Sequence, residues 1–152
     1  MRSFFIAFIL FTLVACSKDD ELLFFTPDGN APFDVPLMAW EQDTAYILHN
    51  LPEGYESYGH KEEEGIIRLF TVNYNRGNEA HYYFKSNRLE MIKIPNTKEE
   101  QLIIDCIDYF TRHLGQPEYM DDKAIWATKQ YYVIVSDFSI TFNFRYILLM
   151  SQ

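Results

Sequence analysis

Little in this sequence marks an enzyme. Six glycines in 152 residues form no phosphate-cradling loop, and no Gly-x-Ser-x-Gly elbow is present. Nucleotide binding and serine-nucleophile chemistry therefore have little to build on. Four histidines, His49, His60, His81 and His113, show no His-x-x-x-His, cysteine-pair or calcium-loop spacing, so neither a metal nor another cofactor is expected. Basic residues are few: 13 Lys+Arg stand against 22 Asp+Glu, a net charge of −9. Such a chain repels phosphate backbones, which argues against nucleic acid as a partner. Cysteine is scarcer still, with Cys16 and Cys106 alone.

Long apolar runs are limited to residues 4–15, which follow Met1-Arg2 and are broken only by Thr12. Twelve helical residues span about 18 Å, short of a hydrocarbon core of roughly 30 Å. With a short positive start and a small residue at its end, 1–15 reads as a secretory signal rather than a membrane span. Leu13-Val14-Ala15-Cys16 resembles the lipobox of bacterial lipoproteins. The resemblance implies cleavage before Cys16, thioether lipidation of its sulfur and acylation of the new amino terminus, palmitate included. Several acyl chains, at about 0.8 kcal/mol per buried CH₂, make a stable membrane anchor.

Ser17-Lys18-Asp19-Asp20-Glu21 is similar to the lipoprotein export signal of Bacteroidetes, with Ser17 where glutamine is frequent. That likeness implies display on the outer face of the outer membrane, the alternative being a periplasm-facing position. A solvated charged linker is the plainer account of such a run. Cleavage would remove Arg2 and no acid, which takes the net charge from −9 to −10. Only Cys106 would remain, so no intramolecular disulfide could form and the domain must rely on its core. Losing Phe4, Phe5, Phe8 and Phe11 still leaves 22 aromatics out of 13 Phe, 11 Tyr and 2 Trp, each able to bury about 150–250 Å².

Residues 16–36 read as a flexible acidic tether, because Pro27, Pro32 and Pro36 around Asp28-Gly29-Asn30 interrupt regular structure. Leu22-Leu23-Phe24-Phe25 is apolar enough to dock as a strand. The domain is expected over 37–152. Leu37, Trp40, Thr44, Ile47, Leu48 and Leu51 recur at helical spacing, and Asp43 could cap a shorter helix beginning at Thr44. Residues 66–74 read as a strand. Residues 80–85 and 88–94 read as a hairpin about Ser86-Asn87. Thr97-Lys98-Glu99-Glu100 fits a capping box for a helix to Leu114, closed by Gly115 and Pro117. Ile103, Cys106, Ile107, Phe110 and Leu114 form its expected buried stripe. Strands follow at 124–128, 131–136 and 139–148. The last places Ile140, Phe142, Phe144, Tyr146 and Leu148 on one face and leaves the other wet.

The expected fold class is thus α+β: two helix-plus-antiparallel-strands repeats, 37–95 and 96–149, with helices packed on one face of an antiparallel sheet. The helix exits agree, each passing from a histidine (His49, His113) to a tyrosine (Tyr55, Tyr119). Trp40, Asp43, Ile47 and Leu51, the run Leu114-Gly115-Gln116-Pro117, and the hairpin residues Tyr82, Phe84, Asn87, Leu89 and Ile92 resemble small envelope lipoproteins. These are the SmpA/OmlA group, with their β-lactamase-inhibitor-protein-like fold. The resemblance implies helical material on a small antiparallel sheet, and a role as an assembly accessory of the outer membrane.

Chemical candidates are sparse. His49 and His113 sit at helix C-termini, where the dipole favours imidazolium. His60 leads the acidic run Lys61-Glu62-Glu63-Glu64, which reads as a solvated loop. His81 reads as a sheet residue. Cys106 is flanked by Asp105 and Asp108, a poor setting for a thiolate nucleophile. Tyrosine is the remaining resource, since it pairs apolar area with a hydroxyl. The expectation is a non-catalytic binding module for a protein or envelope component. Tyr82, Tyr83, Tyr131 and Tyr132 are its candidate surface, and an enzyme acting on surface glycan or peptide is the reading with least support.

Overall fold

The computed structural model describes residues 24–95 and 99–144, whose eight strands form one antiparallel sheet. A short helix, α1 (Thr44–His49), precedes four strands, β1 (Tyr55–Glu63), β2 (Ile66–Asn73), β3 (Asn78–Lys85) and β4 (Arg88–Pro95). Helix α2 (Glu100–Leu114) follows, then β5 (Glu118–Met120), β6 (Lys123–Ala127), β7 (Tyr131–Ser136) and β8 (Ser139–Phe144). The strand order is β1-β2-β3-β4-β8-β7-β6-β5, with every neighbouring pair antiparallel.

This is a β-rich fold, and it corrects the expected α+β architecture of two helix-and-strand repeats. The helices are only six and fifteen residues long. The apolar stripe from Leu37 to Leu51 has helical spacing, but Glu41 takes a positive φ of 63°. There the chain leaves any helical path, and Glu41 and Gln42 exchange backbone hydrogen bonds with Leu89. Asp43 then caps the short helix, accepting from Tyr46 N–H at 2.8 Å. Segments 55–63 and 118–120, read as helix exits and loop, are strands.

Turn chemistry explains the hairpins. Ser86 and Asn87 both have positive φ, 50° and 59°, as do Glu64 and Gly65 at 53° and 75°. Two such residues in succession suit the tight turn between twisted antiparallel strands. Helix α2 ends at Gly115 (φ 83°), whose N–H bonds to the Thr111 carbonyl. At the other end Glu99 occupies the cap position without a side-chain cap bond. The capping-box Thr97 lies outside the described residues, as do Tyr146 and Leu148.

Strand periodicity divides the sheet into two faces. Leu69, Tyr82, Phe84, Ile92, Val133 and Phe142 point to the covered one and are buried. Phe110 of α2 meets Trp126 and Phe142 there. Buried Cys106, Tyr109 and Phe110 are the covered stripe of α2, with Ile103, Ile107 and Leu114 partly buried beside them.

The N-terminal segment completes this layer, which corrects its reading as a tether as far as Pro36. Phe25 packs on Tyr109, Phe110 and His113, and Phe33 on Tyr109, Phe110 and Phe142. Three core tyrosines grip the segment by their hydroxyls. Tyr131 donates to the Phe25 carbonyl. Tyr109 accepts from Asp28 N–H and donates to Asp28 Oδ1, both at 3.0 Å. Tyr82 accepts from Leu37 N–H at 3.1 Å. Among the described residues packing therefore begins at Phe25 rather than Leu37, and 24–36 form no strand; Leu22 and Leu23 lie outside the described residues. Among the described residues no helix is long and apolar enough to cross a membrane.

Candidate functional site

With α2 and the N-terminal segment on one side, the opposite side of the sheet is left, among the described residues, to its own side chains. Two cross-strand ladders run along it. One passes from Phe70 through His81, Lys93, Thr141 and Ile134 to Ile125. The next passes from Arg68 through Tyr83, Met91, Asn143 and Tyr132 to Ala127. A face destined only for water would be largely polar. This one interleaves aromatic and aliphatic groups with Arg68 and Lys93.

The tyrosines nominated from sequence separate here. Tyr83 and Tyr132 share one ladder of the open face. Tyr82 and Tyr131 are core residues, 0% and 1% exposed, and are removed from the candidate surface. The reason is geometric: consecutive strand residues point to opposite faces, so an adjacent pair cannot both line one surface. Phe70, Met91 and Ile134 were missed, although the alternation of 66–73 was a signal for the first.

At the β1 side of this face a polar cluster forms around Phe70. Tyr58 stacks on Phe70 and His81 meets the same ring edge-on. Tyr58 hydroxyl donates to Glu79 Oε2 at 3.3 Å, and His81 Nε2 lies 3.0 Å from the same oxygen. Burial, then the Glu79 charge, raises the Tyr58 hydroxyl above the ordinary tyrosine value. Arg68 lies 5.7 Å over the Tyr83 ring, a cation–π distance. Its Nε is shielded from solvent and meets no hydrogen-bond acceptor among the described residues.

A second feature opens at the end of the sheet where β4 passes into α2. It is a cavity of about 620 Å³ between the N-terminal segment, Tyr55, the β2–β3 turn and the start of α2. Phe33, Val35, Ile94 and Leu102 give it apolar lining. Arg76 Nη1 bonds Asp34 Oδ1 at 2.9 Å, and Tyr55 hydroxyl donates to Asp34 Oδ2 at 3.4 Å. Burial and the neighbouring Asp34 push the Tyr55 hydroxyl well above the tyrosine range. No chemical role was expected of Asp34 or Arg76, which lie 42 residues apart and meet only through the fold.

The remaining candidates are dispersed. His49 ends α1 and His113 ends α2, with His113 Nδ1 at 2.8 Å from the Tyr109 carbonyl. His60 is exposed on edge strand β1. Cys106 is a buried free thiol, and burial first, then Asp105, pushes its pKa up to about 12. Among the described residues no three His, Cys, Asp or Glu side chains converge as a metal site. Leu13, Val14, Ala15 and Cys16 of the lipobox, and Ser17, Lys18, Asp19, Asp20 and Glu21 of the export signal, lie outside the described residues. No protein-family model, curated protein or solved structure matches this chain. The likeness to SmpA/OmlA lipoproteins therefore rests only on the residues quoted for it.

Proposed function

We propose that this chain is a lipid-anchored envelope lipoprotein, displayed at the outer-membrane surface, whose domain is a non-catalytic module binding a protein or envelope component through the open sheet face. The observation that carries the binding role is the pair of ladders, which set Phe70, Tyr83, Met91, Ile134 and Tyr132 on a face that α2 and the N-terminal segment do not cover. Tyr132 is exposed and the other four are half-buried, and accessible apolar surface rimmed by polar groups is a usual mark of an interaction site. Arg and Tyr, both present, are favoured where binding energy concentrates. The anchor and its location rest on Leu13-Val14-Ala15-Cys16 and on 17–21.

The two parts are tested separately. Palmitate labelling of cells should mark the wild-type chain and not Cys16→Ala, and protease added to intact cells should remove the domain. A labelled Cys16→Ala chain, or a domain protected until the cells are lysed, refutes the anchor or the display. For the face, a photocrosslinker at Tyr132 should trap a partner in cells, and Tyr83→Ala with Met91→Ala should abolish the adduct. A crosslinker at Tyr119, on edge strand β5, should trap none. Equal trapping from both positions would refute the assignment to the sheet face.

A further inference from the structure

The open sheet face holds cations without a matching counter-charge, and the chemistry of its partner follows from them; this inference rests on the sheet-face reading. Lys93 is half-buried on β4, between His81 of β3 and Thr141 of β8. Among the described residues no carboxylate pairs with its ammonium. Arg68 is little better matched. Its Nη2 stands 3.7 Å from Glu63 Oε2, an oxygen that Lys61 already holds at 3.0 Å. Its Nε is shielded and meets no acceptor, a costly state for a buried donor. Glu79, on the same face, is engaged by Tyr58 and His81. Acidic side chains outnumber basic ones by 22 to 13 in this chain, yet Lys93 pairs with none and Arg68 shares one.

The register sets the spacing of the two cations. Arg68 faces Tyr83 and Lys93 faces His81, so they lie two strands and two residues apart. With strands about 4.8 Å apart and residues about 3.3 Å apart along each, the separation is about 12 Å. From this we infer that the open face receives an acidic, extended segment of a partner protein, with one carboxylate on Arg68 and another on Lys93. Side chains four residues apart on such a segment are about 13 Å apart and point the same way. The side chain midway between them lies over Tyr83 and Met91. A carboxylate bound bidentately by the guanidinium gives Nε the acceptor it lacks. A basic segment would meet the repulsion of both cations, and a neutral one would leave them bare. Repulsion from the remaining acids of the chain is screened beyond about 8 Å, so the contact is decided locally.

The test titrates the intact protein with acetylated hexaglutamate, hexaglutamine and hexalysine, following the Met91 and Ile134 methyl resonances. Hexaglutamate alone should shift them. Lys93→Gln and Arg68→Gln should each weaken its binding by about fivefold, the effect of one partly exposed charge pair. Arg112→Gln makes the same charge change at an exposed position of α2, across the sheet, and should alter affinity by less than about twofold. Equal weakening by Arg112→Gln, no binding of hexaglutamate, or equal shifts with hexaglutamine or hexalysine would overturn the proposal. Sedimentation with phosphatidylglycerol vesicles that Lys93→Gln abolishes would overturn it in favour of an anionic lipid surface. In cells the two readings fail separately. A crosslinked adduct from Tyr132 kept at full yield in Lys93→Gln overturns the acidic partner and leaves the sheet face standing, whereas no adduct from Tyr132 overturns the face and this inference with it.

Discussion

Replacing Tyr82, Tyr109 and Tyr131 together by phenylalanine tests whether the N-terminal segment is part of the domain. Each substitution keeps the ring and deletes one hydroxyl, so core volume is almost unchanged. Tyr82 and Tyr131 are buried, and their loss leaves the Leu37 N–H and the Phe25 carbonyl without those partners. A net hydrogen bond is worth about 0.5–1.5 kcal/mol, and a stranded buried group costs toward the upper end or beyond. Tyr109 makes two bonds to Asp28, but Asp28 is exposed and water can replace them, so their loss adds little. The triple variant should lose about 3 kcal/mol, within the 5–15 kcal/mol that a domain usually has, so it should still fold. Urea unfolding followed by Trp40 and Trp126 fluorescence should show a lower midpoint with an unchanged slope. Hydrogen exchange at the Leu37 and Asp28 amides should accelerate in step. A loss below about 0.5 kcal/mol with unchanged protection at Leu37 would refute the claim that these hydroxyls hold the segment.

Three further outcomes follow from single sites. Phe110→Ala, at the point where α2 meets Phe25, Phe33, Trp126 and Phe142, should cost about 3–5 kcal/mol in urea unfolding; a cost under 1 kcal/mol would mean the cavity collapses or the packing is wrong. Gly115→Ala should destabilise by about 1–3 kcal/mol in the same assay, although no atom lies within 4 Å of the added Cβ. The reason is backbone, since φ 83° and ψ −166° define a region that only glycine occupies readily. Alkaline pH should unfold the protein. Cys106 and Tyr82 titrate from ordinary values of 9.0 and 10.0, but burial pushes each up to about 12 in the fold. Because the folded values are raised, their contribution is complete below pH 9 and is lost as pH rises towards 12. Circular dichroism should show stability falling across that window, and a thiol reagent at pH 8 should modify Cys106 only after unfolding.

Much of the local structure is legible in the residues. Asp43 before Thr44, Ser86-Asn87 between two apolar strands, Gly115 after Leu114, and the alternation of Ile140, Phe142 and Phe144 are short-range signals. Each acts through its own backbone angles or hydrogen bonds, so each can be read without knowing its neighbours. The charge balance, with the classes of partner it disfavours, is likewise a property of composition. Tertiary structure alone decided the rest. Strand β1 carries Glu56, His60, Lys61, Glu62 and Glu63 and reads as loop, because an edge strand is held by backbone bonds to β2 that leave little trace in side-chain pattern. Alternation says that Tyr82 and Tyr83 part company, but not which one is core; the pairing of β4 with β8 and the placement of α2 settle that. Residues 24–36 look like linker because prolines forbid regular elements, yet hydrophobic burial of Phe25 and Phe33 and three distant tyrosine hydroxyls bind them without any. The meeting of Asp34 with Arg76 has the same origin, a contact between parts of the chain that only the folded sheet brings together.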